Sequence, residues 1–273
     1  MMTPVVSCGF LAAVSALAQT PDAAEQSRAL AAIRDYALNY TAKLPDFTCT
    51  QVIQRTYYPF VGFRRNPHHD AIEEQLTYAG HKESYTVTKI NGEAVANVRH
   101  DQLGGIVSSG EFGTLLARTF DPNAGTDFHF ERRATQKGQR VYVFAFRVPP
   151  AKGYGLVESK RTILVGYKGL LYANPQTGAL LRIELQCEIP KDSEYKELEL
   201  TMDFKPTDVA GHEAVLPAHY HLHSVKAVAP IATAKTPGVS IFSETINETD
   251  YKNYRRFEAN SSITFGTETN SKR

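Results

Sequence analysis

The stretch Ala179-Leu180-Leu181-Arg182-Ile183-Glu184-Leu185-Gln186-Cys187-Glu188-Ile189 decides the fold. Ala179, Leu181, Ile183, Leu185, Cys187 and Ile189 alternate with Leu180, Arg182, Glu184, Gln186 and Glu188, which predicts a strand with one dry face and one mostly wet face. The pattern returns at Leu198, Leu200, Met202 and Phe204 against Glu197, Glu199, Thr201 and Asp203. A period of two on successive segments predicts antiparallel sheet that is apolar on one side only.

Moving toward the C-terminus, Ala210-Gly211 marks a turn and strands are expected near Ala214 to Lys226, Ser240 to Tyr251 and Ser261 to Phe265. Ala227 to Gly238, rich in Ala and Pro, reads as a loop, and the polar tail 266–273 as frayed. In the other direction, Asn174 to Gly178 is a turn that follows strands at Asp127 to Ala134, Arg140 to Val148, Lys160 to Tyr167 and Leu170 to Ala173, with Lys137-Gly138 turning the first pair. A helix is predicted from Ser109 to Phe120, with Phe112, Leu115, Leu116 and Phe120 on one face. Asn91-Gly92 is a hairpin signal after strands at Glu74 to Gly80 and Glu83 to Ile90. Pro59 to Asp70 reads as a surface loop. An N-terminal helix begins at Thr20-Pro21-Asp22, carries Leu30, Ile33, Ala37, Tyr40 and Leu44 on one face, and ends at Pro45, where a strand with Phe47, Cys49 and Ile53 on one side takes over.

About ten strands with one oily face expose more apolar area than two helices can cover on a flat sheet. The fold class expected is therefore mainly β (α+β). It is a curved antiparallel sheet closed into a barrel, split into a sandwich or bent into a half-barrel, with an N-terminal and a central helix over its mouth. Barrel and half-barrel commonly leave an interior apolar cavity that suits an acyl chain, with Pro59 to Asp70 as its lip.

Residues 1–18 carry no charged side chain, are largely apolar from Val5 and finish in Ala16-Leu17-Ala18, the pattern of an export signal cleaved before Gln19. A lipoprotein signal acylated at Cys8 and an ordinary buried segment are the alternatives. The reading is of a signal peptide at 1–18 and a single domain over 19–273, located in the periplasm or outside the cell. No other apolar run approaches the roughly 20 residues of a membrane span. Thirty Lys and Arg against 29 Asp and Glu leave the surface nearly neutral, which argues against nucleic acid and against electrostatic attachment to anionic lipid. After the signal, Cys49 and Cys187 remain. A disulfide between them is chemically permitted in an oxidising compartment; separately buried thiols and a reactive thiol are the alternatives.

Leu170 to Ala173, the turn Asn174 to Gly178 and Leu180 to Leu185, including Leu181-Arg182-Ile183, resemble the "strand, D-x-x-T-G, L-R-I" hairpin of periplasmic lipoprotein-sorting factors, with Asn174 where that pattern has Asp. The order of helices and strands is similar to that of the LolA-like half-barrel superfamily, which also includes a periplasmic sensor of mislocalised lipoproteins. Phe47 to Gln51, Gly110 to Leu116 and Tyr142 to Pro149 resemble a set of uncharacterised exported bacterial proteins. The superfamily resemblance implies non-enzymatic binding of acyl chains or acylated protein in an apolar cavity.

His219, His221 and His223 fall at period two on one strand face, neighbours about 6.6 Å apart. Two such imidazoles can share a zinc ion if a carboxylate or histidine from an adjacent strand completes the site, with His212, Glu213, Glu184 and Glu188 as suppliers by residue type and His68-His69-Asp70 as a further source. The bland alternative is a solvated face opposite Leu216, Ala218, Tyr220 and Leu222. No nucleophile elbow, helical His-Glu-x-x-His or dinucleotide loop is present, so no cofactor is indicated and catalysis is not favoured. The reading is of an exported, non-catalytic carrier or sensor for lipid or lipidated protein, lined by Leu181, Ile183, Leu185, Leu200, Met202 and Phe204 on the sheet and Phe112, Leu115 and Leu116 on the central helix. Each of these is equally explained as plain core. A structural or interaction module of the cell envelope and a zinc-dependent hydrolase using the histidine strand are the alternatives.

Overall fold

The computed structural model describes residues 20–59, 67–103, 110, 112–159, 161–228 and 241–257. The expected signal at 1–18, the strand at 261–265 and the tail 266–273 lie outside them, as does Ser109, the expected start of the central helix; that helix begins instead at Thr114, after Gly113. The chain begins with helix α1 (Ala23–Leu38), whose cap is Asp22: its Oδ1 accepts the Glu25 N–H at 2.7 Å. Asn39 interrupts the helix before a single further turn, α2 (Tyr40–Lys43). Ala29, Ile33, Ala37, Tyr40 and Leu44 are buried while Leu30 is only partly so, which rotates the apolar stripe slightly from the expected one.

Among the described residues twelve strands follow, with one more α-helix between them. They are β1 (Phe47–Tyr58), β2 (His68–Ala79), β3 (Lys82–Ile90), β4 (Glu93–Ala94), helix α3 (Thr114–Phe120), β5 (Asp127–Gln136), β6 (Gln139–Val148), β7 (Tyr154–Val157), β8 (Thr162–Ala173), β9 (Leu180–Glu188), β10 (Tyr195–Val209), β11 (His212–Val228) and β12 (Ile241–Arg256). The protein is thus mainly β: one curved, open, wholly antiparallel sheet in the order β4-β3-β2-β1-β12-β11-β10-β9-β8-β6-β5. β7, which has no signature in the sequence, pairs with the first part of β8 at Thr162 to Val165, beside the stretch from Tyr167 onward that pairs with β6. Two-residue turns at Asn91-Gly92, Lys137-Gly138 and Ala210-Gly211 have positive φ at both positions, the backbone twist that tight hairpins need.

The helices lie on one face of the sheet, here called inner. Ile33 of α1 and Leu115, Leu116 and Phe120 of α3 share a core with Phe47, Leu76, Phe144, Leu171, Ile183, Met202 and Phe204 from the strands. Aromatic rings fill much of it: Phe47 stacks on Tyr78 at 5.2 Å between centroids and meets Phe112 at the same distance. α1 rests directly on the β8–β9 turn. A side chain on Gly178, whose φ is +72°, would come within 2.1 Å of the Ala32 carbonyl oxygen.

Several expectations are corrected. The strands read separately at Lys160 to Tyr167 and Leu170 to Ala173 are one, because Gly169 continues the ladder opposite Leu185. His68, His69 and Asp70 belong to β2 and not to a loop, since each pairs with β1. Leu181 does not lie on the dry face: an extra residue in β9 opposite Tyr172 and Ala173 turns Leu180 inward and Leu181 to the outer side, where it packs near Val141, Val143 and Tyr172. Cys49 and Cys187 are free and buried, on strands four steps apart in the sheet order, so no bridge joins them. Burial pushes both thiols up to about 12, leaving them protonated and inert.

Candidate functional site: a pocket on the inner face

β12 lies mid-sheet, yet its inner face is polar. Ser243, Thr245, Asn247, Thr249 and Tyr251 follow one another at period two, and Thr249, Asn247 and Thr245 stand opposite Ile53, Arg55 and Tyr57 of β1. Ser243, Asn247, Thr249 and Tyr251 are all buried. A central strand backed by helices is ordinarily apolar on that side. The helices cover the other end of this face, and the turn His100–Gln102 with Leu103 covers Ile53 and Ile72. Beyond these covers the polar rows border an open pocket of about 540 Å³, within the usual range of ligand sites.

Its floor is made by Tyr57 of β1, Thr245 and Ser243 of β12, Ser224 and Lys226 of β11, and Tyr195 of β10. The register explains the set: Tyr57 faces Thr245, Thr245 faces Ser224, Ser243 faces Lys226 and Lys226 faces Tyr195. Arg55, His68, His69, Asp70 and Leu103 form the side wall. The Arg55 guanidinium is held on both sides. Its Nε donates to Asp70 Oδ1 at 2.7 Å, its Nη2 to the other Asp70 oxygen, and its Nη1 to the Leu103 carbonyl at 3.2 Å. Lys226 Nζ lies 3.1 Å from Glu194 Oε2 and 5.0 Å from the centre of the Tyr195 ring. The backbone N–H of Ser159, its hydroxyl and then Lys226 hold the Glu194 carboxyl below its ordinary value, so it stays charged, while burial raises the Tyr195 phenol and keeps it neutral. Tyr57 and His68 stack with centroids 6.3 Å apart and planes 27° apart.

Of the residues singled out from sequence, His68, His69 and Asp70 line this pocket and the others fall elsewhere. Phe112, Leu115, Leu116, Ile183, Leu185, Met202 and Phe204 are buried in the core beneath the helices and Leu200 packs against them, so eight of the nine expected lining residues share the inner face. Leu181 alone turns outward. Leu200, Met202 and Phe204 nevertheless continue the inner face of β10 on from Leu198, which lies between them and Tyr195 at the pocket. His219, His221 and His223 are on the outer face, as expected, and each meets carboxylates of β12. His219 Nε2 and Nδ1 lie 2.9 Å from Glu248 and 3.0 Å from Asp250, His221 Nδ1 lies 2.7 Å from Glu248, and His223 Nε2 lies 3.0 Å from Glu244. The suppliers named from sequence, His212, Glu213, Glu184 and Glu188, are not the partners. Among the described residues no group of three or more His, Cys, Asp and Glu side chains converges to hold a metal ion. No described helix is long and apolar enough to cross a membrane.

Of the pocket only His68, His69 and Asp70 were named from sequence, within an expected loop; the floor was missed because each of its residues is ordinary in isolation. The available signal was the inward-phase run Ser243, Thr245, Asn247, Thr249 and Tyr251, polar at every second position and interleaved with Glu244, Ile246, Glu248 and Asp250. Its meaning depends on β12 lying between β1 and β11, a long-range pairing that periodicity does not reveal.

No protein-family model matches this chain, and no curated protein does. Among solved structures, the chain is similar to a DUF1329 family protein from Desulfovibrio piger, with 11% identity and a TM-score of 0.34, over 88% of this chain and 94% of that one. It is also similar to a putative outer membrane lipoprotein-sorting protein domain from Vibrio parahaemolyticus, with 9% identity and a TM-score of 0.38, over 86% of this chain and 93% of that one.

Proposed function

We propose that this is an exported, non-catalytic carrier or sensor whose sheet acts as a half-barrel and whose pocket receives part of an amphiphile, either a lipid or the acyl group of a lipidated protein. The observation that carries the reading is the hollow of about 540 Å³ on the helix-bearing face, where polar groups on β12 meet the rings of Tyr57 and Tyr195 and the side chain of Leu103. Such a lining offers a ligand both dry and wetted surface. Leu200, Met202 and Phe204 continue the dry inner face beyond Leu198, at the end of the sheet that α1 and α3 cover. Export rests on the uncharged, apolar segment 1–18.

Native mass spectrometry of detergent-free protein, with titration by the neutral apolar dye phenylnaphthylamine, tests this. The expected result is a co-purifying acyl species or saturable dye binding that weakens at least tenfold in Thr245→Trp, a substitution that fills the floor while circular dichroism stays unchanged. Clean protein that binds no dye overturns the reading.

A further inference from the structure

We infer that the pocket recognises an uncharged, hydroxyl-rich group, the saccharide or glycerol type of head; this rests on the reading of the pocket as a ligand site and names the chemistry it selects. Among the described residues no hydrogen bond engages the side-chain hydroxyls of Tyr57, Tyr195, Ser224 or Thr245. Ser224 lines the pocket although the residue as a whole is 2 % exposed. Each hydroxyl both donates and accepts, so the complementary ligand group is one that also does both, an alcohol.

Charge points the same way. Both cations of the pocket already have carboxylate partners: Arg55 spans both oxygens of Asp70, and Lys226 meets Glu194. An added anion would meet cations already neutralised and would sit beside the Asp70 and Glu194 carboxylates, which repel it. An alcohol meets no such repulsion. The stacked Tyr57 and His68 rings add a flat apolar surface of the kind that lies against the C–H face of a sugar ring.

Calorimetric titration of the whole protein with three probes, each below its micelle concentration, tests the inference: dodecyl maltoside, dodecyl phosphate with the same tail, and free maltose. We expect the maltoside to bind at least tenfold more tightly than the phosphate. The double variant Ser224→Ala, Thr245→Val should lose about tenfold for the maltoside, the worth of two modest hydrogen bonds, with the phosphate affinity and the melting temperature unchanged. Maltose binding without a tail identifies the free saccharide as the source; a need for the tail identifies a glycolipid. Equal or tighter binding of the phosphate, or a double variant with undiminished maltoside affinity, overturns the inference and leaves the amphiphile reading standing. Maltose binding with no response to either dodecyl compound removes the amphiphile reading alone, and no binding of any probe removes both.

Discussion

Glu158 shows how one side chain can make stability depend on acid. Its buried carboxylate accepts the Ser193 hydroxyl at 2.6 Å, Arg161 Nε at 2.9 Å and the Glu194 N–H at 2.8 Å. The Ser193 hydroxyl, then Arg161, hold its pKa down at about 2, against 4.5 for an ordinary glutamate. A group depressed on folding stabilises the native state fully above its unfolded value, and that contribution disappears as pH falls through the folded value. Melting temperature should therefore decline from about pH 5 downward, and Glu158→Gln, less stable at neutral pH, should show a shallower decline. A variant whose acid profile matches that of the parent would contradict this assignment. Cys49 and Cys187 supply a second residue-level test. Their thiols are buried and pushed up to about 12, so a chain starting at Gln19, without Cys8, should not react with an aromatic disulfide reagent within minutes, while denaturant should release both at once.

Among the elements, α1 and its seat on the β8–β9 turn are the most exposed to a single substitution. Gly178→Ala forces a left-handed residue and drives a methyl against the Ala32 carbonyl, so chemical denaturation should show a loss of about 2 kcal/mol or more. Truncating Leu116 of α3, buried against the same core, should cost about 2–5 kcal/mol in the same assay. These elements also show how much was legible beforehand. Helices and strands with one clean apolar face were readable, because their periodicity records which side is dry. β7 was not: Tyr154 to Val157 is a four-residue strand that exists through its pairing with β8. The inward turn of Leu180 was equally hidden, since a bulge shifts the phase of a strand whose alternation looks regular. The pocket escaped because its floor is assembled from four strands that sequence spacing does not bring together.

At the scale of the whole molecule, β1 and β12 are neighbours in the middle of the sheet, so the first and last strands of the described fold are joined along eleven paired positions. Ending the chain at residue 240 should remove not a margin but the centre. The truncated protein should lack a cooperative thermal transition by circular dichroism, and a sharp melt near that of the parent would refute that view of the assembly. The same pairing bears on biosynthesis. Until the ribosome has released residue 257, β1 and β11 each present a bare edge of unpaired amides and carbonyls, the surface on which nascent chains stick to one another. Completing the middle of the sheet therefore waits on β12, and a chaperone that shields those two edges would be of most use just before that strand emerges.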